Sequence, residues 1–351
     1  MTTPALLRPV DAISGLVIPA ELEATRPAET RGMRRDQVRL MVTDGHGIRH
    51  RRFHDLPMEL RPGDLLVVNV SATLPAAVVV GPDLVVHFST TLPGGLHVVE
   101  MRRLAGATSL PHDEPRPGNV ALPGGALVDL LTPYPVGSQS RRLWVARLDL
   151  GCPLPEYLTT WGRPIRYRHT DGSYPLEAYQ TVFARAPGSA EMPSAARPFT
   201  ERLVTSLVAS GISIAPLTLH TGVSSLETGE APYPEWFQVP EATAALVNQT
   251  RDGGGRVVAV GTTVVRALET TADSRGRAHA SQTWTDLVIG PAHGLRVVDG
   301  LITGWHEPES THLDLLEAVA GKARLAESYR IALDTGYLWH EFGDSHLILP
   351  A

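Results

Sequence analysis

The feature that most constrains the fold is a change of pattern along the chain, near residue 71 and again near residue 150. Between Ser71 and Leu150, short apolar runs follow one another, separated by Gly- and Pro-rich turns. Many short strands at regular spacing are typical of a small barrel or sandwich. After Pro153, apolar strands alternate with amphipathic helices, which indicates a partly parallel sheet covered by helices. The sequence therefore predicts a mixed α/β fold interrupted by a small antiparallel β unit.

Several elements of the α/β part can be assigned individually. Thr200 is a favourable N-cap for a helix whose apolar residues share one face, and Gly211 is a suitable end for it. A later helix is predicted to begin at Ser310 and to end at Gly321. Strands are predicted at 38–42, 65–68, 212–219, 256–260, 287–289 and 295–303. Alternation of this kind favours a ligand site at the ends of the strands.

Composition excludes several kinds of chemistry. Only one of the 31 basic residues is a lysine, Lys322, and Ala323 follows it. A P-loop needs Gly-Lys-Ser/Thr, so Walker-type nucleotide hydrolysis is not expected, and Schiff-base chemistry would depend on this one lysine. The single cysteine, Cys152, excludes an internal disulfide and a Cys-rich zinc site.

Charge and hydropathy limit the partners and the location. The net charge of −6 argues against strong non-specific binding to nucleic acid, although residues 49–52 form a local basic cluster. No apolar run reaches the length of about 18 residues that a membrane span needs. The first residues lack the pattern of a signal peptide. We therefore expect a cytoplasmic protein without a membrane partner.

The segment strand–Gly261-Thr262-Thr263–helix is the strongest candidate site. A helix that begins at the carboxyl end of a strand offers free backbone N–H groups and the positive end of its dipole. The hydroxyls of Thr262 and Thr263 add donors and acceptors, and Arg266, one turn later, can grip a carboxylate with two N–H groups. An ordinary N-cap followed by a surface arginine is the alternative interpretation.

Two further residues have side chains suited to acid–base chemistry. His220 ends a predicted strand and can titrate near neutral pH, while Glu235 precedes Trp236 and Phe237. An apolar setting would raise the pKa of Glu235 and make it a better base. A histidine at a sheet edge and a surface glutamate before a core aromatic pair are the structural alternatives.

A third group of candidates surrounds a strand-to-helix turn and a turn near the C-terminus. Its members are Asp299, His306, Ser310, Thr311 and Asp344. Metal binding is not expected, because His50 and His54 lie among arginines, and His306 and His312 lack an obvious third ligand. The sequence also lacks a Gly-x-Ser-x-Gly elbow and a Gly-x-Gly-x-x-Gly fingerprint.

Taken together and in order, these segments resemble the S-adenosylmethionine:tRNA ribosyltransferase-isomerase family of queuosine biosynthesis. The similarity extends nearly end to end, and the strongest single match is residues 260–269. The other matching segments are 60–69, 179–184, Gly188-Ser189, Phe199-Thr200, 218–222, 235–237, 284–286, 298–303, His306, Pro308, Ser310-Thr311 and Gly343-Asp344.

The resemblance implies an α/β domain, residues 1–72 and 151–351, that carries the site and is interrupted by an inserted antiparallel β-barrel domain, residues 73–150. It also implies that S-adenosylmethionine donates its ribosyl part. A base removes a C5′ proton, adenine departs, and the rearranged ribose joins the amine of 7-aminomethyl-7-deazaguanine in tRNA. Adenine and methionine are released, and the reaction needs neither a metal nor a lysine.

The resemblance also suggests roles for the candidate residues. His220 or Glu235 is the base, and Arg266 with Thr262 and Thr263 holds a carboxylate or ribose hydroxyls. The pocket is lined by Asp299, His306 and Asp344, with Ser310 and Thr311 as further binding residues and His306 among the catalytic candidates.

The sequence departs from the family pattern around the candidate site loops. Ser71-Ala72 replaces a Thr-Arg pair, residues 192–199 lack a glycine and a histidine, and the loop 223–234 is shorter. Loops carry specificity on a rigid scaffold. Three interpretations remain open: a divergent enzyme that modifies tRNA, a paralogue that uses S-adenosylmethionine with a small-molecule acceptor or as a lyase, and a non-catalytic binding module.

Overall fold

The structure is a computed structural model that describes residues 13, 15–105, 108–112, 116–136, 141–223, 233–308, 310 and 312–350. The strands are β1 (Arg39–Asp44), β2 (Gly47–Arg52), β3 (Leu65–Asn69), β4 (Ser71–Thr73), β5 (Ala77–Val80), β6 (Leu84–Thr91), β7 (His97–Ala105), β8 (Thr108–Pro111), β9 (Gly118–Ala121), β10 (Leu127–Tyr134), β11 (Leu143–Asp149), β12 (Ala186–Ser189), β13 (Ser213–Leu219), β14 (Glu235–Val239), β15 (Val257–Val260), β16 (Ser281–Thr285), β17 (Gly300–Gly304) and β18 (Ser345–Ile348). The α-helices are α1 (Leu154–Trp161), α2 (Glu201–Ala209), α3 (Glu241–Asp252), α4 (Thr262–Thr270), α5 (His312–Ala320) and α6 (Lys322–Asp334). Short 3-10 turns connect them at Ala20–Leu22, Ala28–Arg31, Arg35–Gln37, Phe53–Met58, Pro93–Gly95, Pro123–Gly125, Leu176–Tyr179 and Ser194–Ala196.

A mixed nine-stranded sheet forms the centre of the described structure. Its strand order is β16-β14-β13-β3-β15-β17-β18-β1-β2. The four central strands β13, β3, β15 and β17 are parallel. β14 runs antiparallel to β13 and β16, whereas β18 runs antiparallel to β17 but parallel to β1. All five residues of β3 are buried, as the continuous apolar run predicts for a strand covered on both faces.

Hydrophobic cores cover both faces of this sheet. Leu65 and Val67 pack into one core with apolar residues of α3, α4, α5 and α6. Leu66 and Val68 point to the other face and pack with residues that include Phe199 of the preceding turn and Leu203 of α2. The alternation within β3 follows the two-residue period of a strand, so one short segment anchors both layers.

Residues 77–149 form a second, antiparallel sheet with its own core. The pairing path runs β5-β6-β7-β11-β10-β9, and β8 pairs with β7. Side chains such as Val86, Val99 and Trp144 fill a separate hydrophobic cluster, which Tyr157 and Leu158 of α1 also enter. The mixed α/β class with an additional antiparallel sheet is therefore confirmed.

Thr200 caps α2 as predicted, since its Oγ1 accepts a hydrogen bond of 3.2 Å from the Leu203 N–H.

Two strand predictions are wrong. Residues 287–289 form no strand. The predicted strand 295–303 is reduced to β17, because the Glu269 carboxylate accepts the N–H groups of Arg296, Val297 and Val298 at 2.9–3.0 Å. These donors are therefore unavailable to a sheet.

The helix that was predicted to begin at Ser310 begins at His312 as α5 and ends before Gly321 as expected. The sequence interpretation missed α6, which follows at once. Gly321 has a φ of +76° and redirects the chain between the two helices. In the part of the chain that the structure describes, no helix is both long enough and apolar enough to cross a bilayer.

Candidate active site

The carboxyl ends of the four parallel central strands lie at one edge of the main sheet. Asn69 ends β3, His220 follows β13, Gly261 follows β15, and Trp305 follows β17. Open α/β sheets bind their ligands in the crevice outside this edge. Polar side chains that follow the strands are therefore brought together here from segments far apart in the sequence.

Helix α4 begins at this edge. Gly261, its N-cap, has a φ of +99°, a backbone conformation that L side chains rarely adopt. The carbonyl of Gly261 accepts hydrogen bonds from the Val264 and Val265 N–H groups. The first N–H groups of any helix have no partner within the helix, so Thr262 and Thr263 supply amide donors here as well as hydroxyls.

Glu235 and Arg266 form an ion pair at the centre of the site. Nη1 of Arg266 contacts Oε2 of Glu235, while Oε1 accepts a hydrogen bond of 3.1 Å from the Gly222 N–H. The same guanidinium donates to the carbonyls of Leu287 and Thr285 at 3.0 and 3.2 Å. Arg266 is 9% exposed, so its position is fixed by burial as well as by these acceptors.

A cavity of about 110 Å³ borders this ion pair, and we call it the polar cavity after the pair. Its lining includes Thr221, Glu235, Thr262, Thr263 and Arg266. Four predicted site residues therefore share one cavity. The remaining lining combines polar side chains with an apolar wall, formed by Ser89, Thr90, Gly222, Val223, Tyr233, Leu287, Val288, Ile289, His312 and Leu315.

His220 lies beside this cavity and faces a second one. Its ring stacks on Trp236 with the centroids 5.0 Å apart, and its Nδ1 lies 2.8 Å from Ser71 Oγ. Ser71 Oγ in turn lies 2.6 Å from Ser189 Oγ, which accepts from the Thr221 N–H. Burial lowers the pKa of His220 to about 4, so the imidazole is neutral at neutral pH.

The second cavity measures about 500 Å³ and is lined by aromatic residues. Phe88, Trp236 and Trp284 lie around it together with His220. Ser89 and Thr90 line both cavities, so the two adjoin. An aromatic cavity next to a polar one suits a ligand that joins a flat ring system to a charged end.

The antiparallel sheet covers the site through strand β6 and its end. Ser89 Oγ accepts a hydrogen bond of 2.9 Å from the Val223 N–H, and the Trp284 indole donates to the Thr91 carbonyl at 3.2 Å. A Cβ at Gly222 would lie 2.6 Å from Ser89 Oγ, so this glycine permits the close approach. Both sheets therefore contribute walls to the site.

His306 lies behind the polar cavity. Its ring stacks on His312 with the centroids 4.6 Å apart, and its Nε2 lies 2.9 Å from Thr303 Oγ1. Burial and the neighbouring His312 hold the pKa of His306 well below its ordinary value. Ser310 Oγ contacts His312 Nδ1 at 2.8 Å, and Thr311 lies outside the described residues. His306 and Ser310 therefore reach the cavity only through His312.

The structure separates Asp299 and Asp344 from both cavities. Asp299 lies before β17 and accepts the Val257 N–H at 2.8 Å, which puts it at the amino end of β15, opposite Thr262. Asp344 accepts the N–H groups of Arg39 and Leu338 at 2.7 and 2.8 Å. Both carboxylates hold backbone in place, and neither enters the function proposed below.

Several residues of the site carry no local sequence signal for a catalytic or binding role. Ser71, Gly188 and Ser189 were visible only as motif members or departures, and His312 was considered only as a metal ligand. A Cβ on Gly188 would lie 2.4 Å from the His220 ring. Such contacts join segments more than 30 residues apart, and no local spacing predicts them.

A mixed α/β fold whose parallel central strands end at a cavity with an ion pair, closed by a second sheet, is typical of enzymes. Comparison of the chain with known protein families and solved structures identifies a narrower class. The model of a family described as queuosine biosynthesis protein matches residues 16–348. The chain belongs to this family, as the sequence resemblance predicts.

Curated relatives align with nearly the whole chain over nearly their own full length. A protein named S-adenosylmethionine:tRNA ribosyltransferase-isomerase from Symbiobacterium thermophilum is 37% identical over 95% of this chain and 97% of its own length. One of the same name from Gloeobacter violaceus is 35% identical over 95% of this chain and 94% of its own. The crystal structure of S-adenosylmethionine tRNA ribosyltransferase from Thermotoga maritima is 29% identical, with a TM-score of 0.52 over 95% of this chain and 99% of that one.

Proposed function

We propose that this protein is an S-adenosylmethionine:tRNA ribosyltransferase-isomerase of queuosine biosynthesis. It transfers and isomerises the ribosyl part of S-adenosylmethionine onto the aminomethyl-deazaguanine base of tRNA, and releases adenine and methionine. The observation that carries the proposal is the pair of adjoining cavities at the strand ends. One holds the Glu235–Arg266 ion pair and the start of α4 against an apolar wall, and the other is aromatic with a neutral histidine. Membership of the family and the names of the relatives support the same reaction.

The polar cavity takes the methionine end of S-adenosylmethionine. Its carboxylate is held by the N-terminal amides of α4 with the hydroxyls of Thr262 and Thr263, where the helix dipole favours a negative charge. Arg266 has five N–H donors, and three contacts to it are described above, so it can also donate to the ligand. Glu235 provides the negative charge that suits the ammonium and the sulfonium.

The aromatic cavity takes the flat bases, adenine or the deazaguanine, against Trp236 and Trp284. Stacking on an aromatic face is worth about 1–3 kcal/mol per base and is independent of base identity. His220 stacks on Trp236 in the aromatic cavity, and the next residue, Thr221, lines the polar cavity. The ribose, which joins the two ends of the substrate, would then lie beside this histidine.

His220 is the base in this proposal. The neutral imidazole accepts the C5′ proton at Nε2 when Nδ1 carries its own proton and donates it to Ser71 Oγ. The sulfonium acidifies that proton, and the electron pair it leaves behind starts the loss of adenine. Glu235 is the weaker candidate, because Arg266 and the Gly222 N–H already engage both of its oxygens.

We also propose a division of the chain into two domains. We assign residues 73–150 to an inserted barrel-like domain and residues 1–72 and 151–351 to the α/β domain that carries the site. The separate hydrophobic core of the antiparallel sheet and the strand β6 along the cavities support this division.

In this proposal, the binding of tRNA does not depend on the basic cluster at residues 49–52. Arg49 contacts Asp44 and Glu59 at 2.9 and 2.8 Å, and Arg51 contacts Glu59 at 2.7 Å. These acidic partners neutralise much of the cluster, which also lies on edge strand β2, far across the sheet from the site. Recognition of tRNA is expected instead around the mouth of the aromatic cavity.

The test incubates the purified protein with S-adenosylmethionine and tRNA that carries 7-aminomethyl-7-deazaguanine, with unmodified tRNA as the control. The proposal expects adenine, methionine and a tRNA base heavier by the transferred ribosyl unit, detected by mass spectrometry of the nucleosides. Adenine release that is equally fast without tRNA would replace this function by a lyase or a small-molecule acceptor. Binding of S-adenosylmethionine without turnover would leave a binding module.

A further inference from the structure

Three donor side chains converge in a region that the proposed reaction does not use. His169, His340 and Glu341 each offer one ligand atom, and these atoms all lie within 4.8 Å of one another. His169 Nε2 and Glu341 Oε2 are 3.1 Å apart, and the rings of His169 and His340 stack with their centroids 4.1 Å apart. Within the described residues, this is the one group of three His, Cys, Asp or Glu side chains with such convergence.

The donor atoms are buried, and one of them lacks a hydrogen bond. Nε2 of His169 and Oε2 of Glu341 pair with each other at 3.1 Å, whereas Nε2 of His340 is inaccessible to solvent and has no hydrogen-bond partner among the described residues. The His169 side chain is 10% exposed. Buried polar atoms nearly always have a partner. The unpartnered Nε2 of His340 lies within 4.8 Å of the His169–Glu341 pair, so a single cation placed among the three atoms would give it one.

Backbone strain accompanies this convergence. His340 has a φ of +71° and is the one non-glycine residue of the described chain with a positive φ. This conformation is disfavoured for a residue with a Cβ by roughly 1–2 kcal/mol. It turns the chain so that His340 and Glu341, adjacent in sequence, both face His169, and strain of this kind is concentrated at functional sites.

We propose that His169, His340 and Glu341 form a binding site for a divalent transition-metal ion, with Zn²⁺ as the representative ion. Two imidazoles and one carboxylate are ligands that Zn²⁺ accepts, and in tetrahedral geometry they lie about 3.3 Å apart. The His169–Glu341 distance of 3.1 Å is close to this value. The His340 ring stacks on His169 at an interplanar angle of 15°, so it must rotate out of the stack to direct its in-plane lone pair at the ion.

The position of the site gives it a structural role. His169 belongs to the irregular segment between α1 and β12, whereas His340 and Glu341 belong to the turn before β18. The His340 N–H also donates to the carbonyl of Trp305, the residue before His306. The ion ties these loops together behind the histidine pair that borders the polar cavity, and it takes no part in the chemistry proposed above.

Zinc binding to the tag-free full-length protein, stripped with a chelator and dialysed, tests the proposal by isothermal titration calorimetry. Wild type is expected to bind one equivalent of Zn²⁺ at micromolar or tighter affinity, with a rise in melting temperature. His340→Gly should weaken binding at least 100-fold and still fold, since glycine accepts the positive φ. His169→Ala should weaken binding by a similar factor.

His279→Ala is the matched control. His279 pairs with Asp273 at 3.0 Å on the surface and is 61% exposed, but it belongs to no group of three donors among the described residues. Its loss should leave zinc binding unchanged. Equal affinity of wild type and His340→Gly, or no zinc binding by wild type, would overturn the proposal. Adenine release in the same samples reports on the proposed function separately.

Discussion

At the scale of single residues, the site depends on a neutral histidine and on a buried arginine held by three contacts. The sequence identified His220, Thr262, Thr263 and Arg266 from their places at the end of a predicted strand or in the first turn of a predicted helix. Glu235 was identified because it precedes two aromatic residues. It could not predict that Glu235 and Arg266 contact each other, since 31 residues separate them. The pairing makes Glu235 a charge partner and leaves His220 as the proposed base.

Replacement of His220 by glutamine is expected to lower adenine release by about 10²- to 10⁴-fold, the usual contribution of a general base. The polar side chain preserves part of the contact with Ser71, so the fold should persist. Rates measured by chromatography of adenine, with folding checked by circular dichroism, give the comparison. Release within threefold of wild type would assign the base elsewhere.

The pH dependence follows from the lowered pKa of His220, about 4. A base acts in its unprotonated form, so the active form persists at every pH above this value and is lost only as pH falls through it. The initial rate should therefore have no acid limb near pH 6.5, where an ordinary histidine titrates. A limb near pH 6.5 in kcat/KM, in protein that fluorescence reports as folded, would contradict the assignment.

Arg266→Lys should reduce activity roughly tenfold or more, because lysine cannot present the planar fork that reaches Glu235, Leu287 and Thr285 together. Arg330→Lys provides the control, since Arg330 pairs with Asp334 on the surface at 2.8 Å. Steady-state kinetics should show the loss for Arg266→Lys and unchanged activity for Arg330→Lys. Equal activity of the two would mean that the Arg266 contacts are dispensable.

At the scale of elements, the sequence predicted the strand–Gly-Thr-Thr–helix unit and the capped helix α2 because local signals determine both. It failed where a side chain from another element replaces a sheet partner. The carboxylate of Glu269 takes three N–H groups of residues 296–298, which removes a strand that apolar periodicity favours. The metal ligands were missed for a related reason, since 171 residues separate His169 from His340.

The packing of β12 against His220 offers a test at this scale. Gly188→Ala places a Cβ 2.4 Å from the imidazole, so the ring must move away from Ser71 and Trp236. Activity should fall at least tenfold with modest loss of stability. Gly290→Ala is the control, because a Cβ there meets no atom of a described residue within 4 Å. Crystal structures of both variants would reveal the ring position, and an unmoved His220 would refute the explanation.

At the scale of the whole molecule, two sheets with separate cores enclose one site, and buried charges extend between them. Glu100 in β7 contacts Arg142 at 3.0 Å, and Arg142 donates to the Tyr233 hydroxyl at the polar cavity. Burial opposes the ionisation of Glu100, but the neighbouring His87, Arg102 and Arg142 outweigh this effect and lower the pKa of Glu100 to about 2. The change of pattern at residues 71 and 150 predicted the two sheets, while such contacts between them appear only in the structure.

Buried neutral histidines make the stability of the protein depend on pH. Burial lowers the pKa of His220 and His312 to about 4 and of His346 to about 3. In the unfolded chain each binds a proton below about pH 6.5, so stability is retained above that value and falls as pH decreases, by about 1.4 kcal/mol per pH unit for each histidine. Urea unfolding at pH 7, 6 and 5, with chelator present, measures the slope.

His346→Gln should reduce this slope by about one proton, because it removes one of the buried titrating groups. His279→Ala, on the surface, should leave the slope unchanged. A free energy of unfolding that is constant from pH 7 to pH 5 would contradict the burial of these histidines.

The central claim is that ribosyl transfer begins with removal of a C5′ proton by His220 at the junction of the two cavities. The most direct measurement follows tritium at C5′ of S-adenosylmethionine during turnover with tRNA that carries 7-aminomethyl-7-deazaguanine. Tritium is expected to appear in water together with adenine for wild type and His279→Ala, and His220→Gln should abolish both. Tritium release by His220→Gln at the wild-type rate would contradict it.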